Sequence, residues 1–180
     1  MSTHYPAATG SQQINRHTLC VLVDNEPGVL ARISGMFSGR GYNIESLTVS
    51  ETEHEKHLSR ITICTAGTEA VIDQIRHQLE RLVPVHGVID LTVQGNAIER
   101  ELALVKVVGT GDDRVEALRL AGAFGARTLD ATRTSFIFEL TGTSEEVERF
   151  LRLMTEVGLS EVSRTGVAAI GRGAKPMESH

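Results

Sequence analysis

The stretch HTLCVLVDNEPGVLARISGMFSGRGYNIESLTVSET, residues 17–52, changes its hydrophobic period twice, and those changes decide the fold. Residues 17–24 are β-branched and apolar up to Asp24, the pattern of a buried strand. Asn25-Glu26-Pro27-Gly28 then turns the chain. Asn25 is placed to cap a helix, and Pro27 fits its first turn, where a missing N–H costs nothing. Val29, Leu30, Ile33, Met36 and Phe37 recur at helical spacing until Gly39 and Gly41 stop the helix. From Asn43 to Thr52 the pattern is again that of a strand.

Downstream, a polar loop at 53–57 leads to a third strand, Leu58 to Thr65, with Ile61 and Ile63 on one face. Gly67-Thr68 opens a second helix carrying Val71, Ile72, Ile75, Leu79, Leu82 and Val83 on one stripe. Pro84 ends it, and Val85 to Val93 reads as a fourth strand. The order βαββαβ is the split-βαβ, ferredoxin-like unit. The remainder repeats it: strand 101–108, helix 112–125, strands 127–133 and 135–141, a helix opened by Gly142-Thr143, and an extended stretch 159–170. The Gly-Thr pair at 67–68 and 142–143, each time before an acidic helix with an apolar stripe, points to an internal duplication. The predicted fold class is therefore α+β, two tandem βαββαβ units over 17–94 and 101–173. A linker at 95–100 joins them, and flexible tails lie at 1–16 and 174–180. In this topology the second and fourth strands are sheet edges, and small units gain from pairing, so a homodimer is expected.

Composition narrows the function. The 180 residues carry 18 Lys+Arg against 23 Asp+Glu, and only 5 Phe, 2 Tyr and no Trp. An acidic chain poor in aromatics argues against nucleic acid as a partner. No apolar run approaches the roughly 20 residues of a membrane span, and the first residues lack the basic and apolar regions of a signal peptide. Cys20 and Cys64 sit in apolar strands far apart, which fits a reducing cytoplasm better than a disulfide scaffold or a metal knuckle.

Three stretches suggest chemistry and fail. His54-Glu55-Lys56-His57 spaces its histidines three apart in a loop, where a zincin needs four on a helix. Gly109-Thr110-Gly111-Asp112-Asp113 lacks a third glycine and sets two aspartates where phosphates need positive charge; it reads as a turn with an Asp cap. Neither cysteine has a cationic neighbour or helix N-terminus in sequence to lower its pKa. The turn 24–28 is different. It leads into a helix N-terminus, where free N–H groups and the dipole favour a carboxylate. Gly28 and Val29 would offer N–H groups, Asn25 an amide, and Asn43 a second amide from a neighbouring subunit. Such a cage suits a free amino acid.

Residues 24–32 and 37–49 resemble the ACT domain of the acetolactate (acetohydroxyacid) synthase small subunit. Residues 58–63, 78–83, 99–107, 142–144 and 164–173 are also similar to that family, so the resemblance spans roughly residues 17–173. It implies that the first unit is an ACT domain responsible for effector binding and dimerisation, and that the second unit serves assembly. It further implies a non-catalytic regulatory subunit of a catalytic large subunit that condenses two pyruvates, or pyruvate with 2-oxobutyrate, in branched-chain amino-acid synthesis. The family's small subunit raises the partner's activity and makes it sensitive to valine. The resemblance places thiamine diphosphate, Mg²⁺ and FAD on the large subunit and no cofactor on this chain. By position, the valine site is Asn25, Pro27, Gly28, Val29 and Leu30 of one chain with Asn43 and Ile44 of its mate. The rival expectation is a stand-alone amino-acid sensor acting on another enzyme or regulator.

Overall fold

In a computed structural model, residues 13–177 are described, apart from 54–56, 94 and 96. Strand β1 (Asn15–Asp24) is central to the first unit and buried from His17 to Val23. Its alternate side chains serve two layers, since successive residues of a strand face opposite sides. Leu19, Val21 and Val23 meet α1 (Val29–Gly39) and α2 (Glu69–Glu80) in a core completed by Ile33, Phe37, Ile61, Ile63, Ile75 and Leu79. Cys20 looks the other way. With β2 (Ser46–Glu53), β3 (Leu58–Gly67) and β4 (Val85–Asp90), the sheet order is β2-β3-β1-β4. The predicted edge strands are the edges.

The second unit repeats the plan. Strands β5 (Ala97–Val108), β6 (Arg127–Ala131), β7 (Ser135–Gly142) and β8 (Leu159–Arg164) run in the order β6-β7-β5-β8. Helices α3 (Gly111–Phe124) and α4 (Ser144–Glu156) cover one face, where Phe138, Phe150 and Met154 are fully buried. Phe124 packs on Phe150 with ring centroids 5.2 Å apart. The α4 N-terminus closes with a reciprocal capping box. Thr143 N–H donates to Glu146 Oε2 at 2.7 Å, and Glu146 N–H donates to Thr143 Oγ1 at 3.3 Å. The Thr143 N–H and hydroxyl, both donating to Glu146 Oε2, hold that carboxyl below its ordinary pKa. Thr143→Ala is expected to cost about 1 kcal/mol. In a chain of this size that lowers Tm by roughly 2–4 °C, measurable by thermal denaturation.

Several boundaries differ from the sequence reading, each for a local reason. Helix α2 ends at Glu80, since Pro84 has no N–H for the Glu80 carbonyl and its ring would clash with that carbonyl in a continuing helix. Val83, expected on the apolar stripe, is 93% exposed. Strand β4 stops at Asp90, whose side chain accepts the N–H groups of Thr92 and Val93 and turns the chain. The linker predicted at 95–100 is a strand from Ala97 onward, since Ala97–Arg100 pairs with β9 (Ala168–Gly171). The stretch 159–170 breaks at 165–167, where Gly166 takes φ +82°. Residues 174–177, expected to be a loose tail, return to the first sheet, and Met177 packs beside it.

This return forms a third small core. Cys20, Cys64 and Leu91 lie under Val167 and Ala169 on the sheet face opposite α1 and α2. Burial pushes both thiols above their ordinary pKa, which suits packing and not nucleophilic work. Among the described residues, no helix is long and apolar enough to cross a membrane.

Candidate functional site

The turn at 25–28 is held at both ends. Asp24 N–H donates to the Pro84 carbonyl at 2.9 Å and Asn25 N–H to the His57 carbonyl at 2.7 Å. The Asp24 carboxylate pairs with His86 Nε2 at 2.6 Å. Helix α1 then begins at Val29 with Gly28 as its N-cap, at φ +90° and ψ −7°. Only glycine adopts that backbone without strain, which is why this residue closes the turn. The expected Asn25 cap is not made: among the described residues no side chain caps α1, and Pro27 sits in the turn ahead of the helix. Asn25 stands three residues before the N-cap, too early to reach the first-turn N–H groups.

The result is an open helix end. The first regular helical bond is Arg32 N–H to the Gly28 carbonyl at 3.0 Å, and Val29 N–H makes a long contact of 3.4 Å with the Glu26 carbonyl. The first turn contains no acidic residue. By contrast, Thr68 caps α2 and Thr143 caps α4. Gly28 and Leu30 are exposed while Val29 is buried, so polar backbone and an apolar flank lie side by side.

Asn43 and Ile44 are elsewhere in the same chain. Asp24 is paired with Leu58 across the sheet, whereas Ser46, the first residue of β2, is paired with Cys64. Six residues of strand separate those levels, about 20 Å. Asn43 is exposed; its carbonyl accepts from Thr65 Oγ1 at 2.6 Å. Ile44 is half-buried against the helix-side core. One chain thus presents the two halves of the predicted cage at opposite ends of its sheet.

The stretches set aside in the sequence have these positions. Residues 54–56 of the His-containing loop lie outside the described residues, but the carbonyl of His57 is the acceptor that pins Asn25. At 109–113 the N-cap of α3 is Thr110 with no side-chain bond. The expected Asp cap is therefore absent, and Asp112 and Asp113 sit in the first turn. Among the described residues no group of three or more His, Cys, Asp or Glu is arranged to hold a metal ion.

Comparison with known proteins bears on the whole chain. The family described as "AHAS small subunit-like ACT domain" matches residues 19–90, and "Small subunit of acetolactate synthase" matches residues 100–173. The acetolactate synthase isozyme 3 small subunit of Salmonella typhimurium is 45% identical over 163 residues, 90% of this chain and 99% of that one. Its Escherichia coli counterpart is 44% identical over the same shares. The crystal structure of the acetolactate synthase small subunit from Thermotoga maritima superposes with a TM-score of 0.80 at 36% identity, covering 89% of this chain and 99% of that one. The chain belongs to the acetolactate synthase small subunit family.

In this small-subunit family member the first unit is the ACT domain, and the strand that follows Asn43 is tied directly to the second unit. Val167 N–H donates to Ser46 Oγ at 2.8 Å, and Thr48 Oγ1 donates to the Val167 carbonyl at 2.8 Å. Arg16 adds a bond to Ser144 Oγ at the head of α4, at 3.2 Å. Beside it Arg164 pairs with both Glu101, which is buried, and Glu148. None of these ties was foreseen from sequence. The alternation of Ser46 and Thr48 with apolar Leu47 put the two hydroxyls on the face away from the helices, but their partner lies more than a hundred residues downstream.

Proposed function

We propose that this chain is the regulatory subunit of an acetolactate synthase. It raises the activity of the thiamine-diphosphate-dependent large subunit and lets valine shut that activity down. The carbon–carbon bond-forming chemistry, with its diphosphate cofactor, Mg²⁺ and FAD, belongs to the large subunit in this reading. Family membership supports the partnership; the open N-terminus of α1 is the observation that carries the effector site.

The cage is completed by a second copy. Among the described residues, strand β2 is paired on one side only, by β3. Antiparallel pairing of two β2 strands across a twofold axis brings Asn43 and Ile44 of the mate to the level of Asn25, Pro27, Gly28, Val29 and Leu30. Valine's carboxylate sits on the free N–H groups of the α1 first turn, where the helix dipole favours it. Its ammonium takes amide or main-chain oxygens, and its isopropyl group lies against Val29, Leu30 and Ile44. Burying that group contributes about 1.5–3 kcal/mol. Discrimination against leucine is modest, because one methylene is worth about 1–3 kcal/mol.

The test is acetolactate formation by the large subunit with and without this chain, titrated with valine, leucine and isoleucine. Stimulation by the chain and its reversal by valine are expected. A chain that binds valine yet neither co-purifies with the large subunit nor changes its rate would instead be a stand-alone sensor. Asn43→Ala removes one amide from each cage and is expected to weaken valine about tenfold by calorimetry, the worth of one hydrogen bond to a charged group. The dimer should persist in gel filtration.

A further inference from the structure

A second cleft lies on the face of the first sheet away from α1 and α2, about 620 Å³ in volume, between the strands and the returning segment 169–177. Its floor is apolar, with Cys20, Ile89 and Met177, and its polar lining is entirely cationic: Arg60, Arg172 and Lys175. None of the described lining residues is acidic, in a chain whose net charge is −5.

Arg60 makes the cleft unusual. It stands in β3 between Ser59 and Ile61, opposite Leu22 of β1 and Ser50 of β2. Ile61 belongs to the helix-side core, so strand alternation puts Arg60 on the other face with Thr62 and Cys64. Its guanidinium lies close enough to Cys20 to oppose the burial-driven rise of that thiol's pKa. The Nε atom is sealed from solvent and has no hydrogen-bond partner among the described residues. Among the described residues, no ion pair joins Arg60, Arg172 or Lys175 to a carboxylate. Arg60 as a whole is half-buried, but a sealed donor such as its Nε is ordinarily bonded, because an unsatisfied buried one is costly.

We infer that this cleft binds a small organic anion of two or more negative charges, a phosphate or diphosphate ester whose apolar part rests on Ile89 and Met177. Three positive groups around one opening match a multiply charged ligand better than a single carboxylate, and guanidinium forks suit phosphate oxygens. The volume falls in the range of small-molecule pockets. Glycines at 171 and 173 leave the backbone of the returning segment without side chains at the rim, which lets a ligand approach closely. The site is separate from the α1 turn and does not depend on the valine reading.

Isothermal calorimetry on the full chain at low ionic strength, about 10 mM, where screening is weak, tests this with inorganic diphosphate and ADP as probes. Diphosphate is expected to bind, and ADP at least about tenfold tighter because of the apolar floor. Arg60→Met keeps the stem over the sheet and removes the charge, and should weaken both probes about tenfold or more. Arg172→Ala with Lys175→Ala, both at exposed positions, should do the same without touching the sheet. Lys106→Ala on the second sheet should change nothing. Absence of heat with both probes at millimolar concentration would overturn the assignment. So would equal affinity in the wild type and the two cleft variants.

Discussion

Gly28→Asp is expected to abolish valine inhibition while leaving the stimulated rate of the large subunit intact. The substituted carboxylate projects from the N-cap of α1, where the ligand's own carboxylate is proposed to sit. It competes for the same N–H groups and repels the ligand. Losing charge-assisted bonds worth about 1.5–3 kcal/mol, with repulsion between like charges added, weakens valine by at least about 100-fold. Gly28 has φ +90°, so any side chain there is strained, by roughly 1–2 kcal/mol. Gly28→Ala is therefore the necessary companion: it carries the strain without the charge, and no heavy atom lies within 4 Å of its Cβ. Valine titrations of the reconstituted activity should show near-complete loss with Asp and at most a severalfold change with Ala. Equal loss in both variants would mean that the backbone of the turn matters and the anion subsite does not. Unchanged inhibition in Gly28→Asp would remove the proposed site altogether.

Much of this architecture is legible from alternation and caps. The apolar run 17–24, the helical spacing of Val29 to Phe37 and the two Gly-Thr helix starts each report a local energetic preference, and local preferences survive in the fold. What sequence spacing cannot report is pairing at a distance. Ala97–Arg100 looks like a linker because Glu99 and Arg100 interrupt any apolar pattern, and it becomes a strand only because residues 168–171 come back beside it. Asn25 is a good capping residue, but whether it caps depends on where the left-handed glycine falls, and Gly28 falls three residues later. The cationic cleft is hidden for the same reason. Arg60, Arg172 and Lys175 are scattered singly in the sequence and meet only through the return of the chain. Conversely, the two halves of the proposed valine cage are near each other in sequence and far apart in one chain, which strand register reveals and spacing does not.

The clamp on β2 yields the second large effect. Val167 holds Ser46 and Thr48 just after Asn43, so in the proposed dimer a shift of the paired β2 strands on valine binding would pass to the segment between β8 and β9. Gly166, the residue before the clamp, has φ +82°, and a Cβ built there would lie 2.6 Å from Ser46 Oγ and 3.2 Å from Thr48 Cγ2. Gly166→Ala must push the segment off the strand or strain the backbone, and the two clamp bonds cannot both survive. Typical coupling between sites is about 1–3 kcal/mol, so loss of the clamp is expected to raise the valine concentration for half-inhibition by about 5–150-fold. Calorimetric affinity of the isolated chain for valine should shift far less, because the proposed cage residues are untouched. Ser46→Ala with Thr48→Val removes the same two bonds without backbone strain and should separate binding from inhibition in the same direction. If both variants weaken binding and inhibition in equal proportion, the clamp shapes the site and transmits nothing. If neither variant changes inhibition, the signal leaves the ACT domain by another route, and the Arg16–Ser144 contact to α4 is the next junction to break.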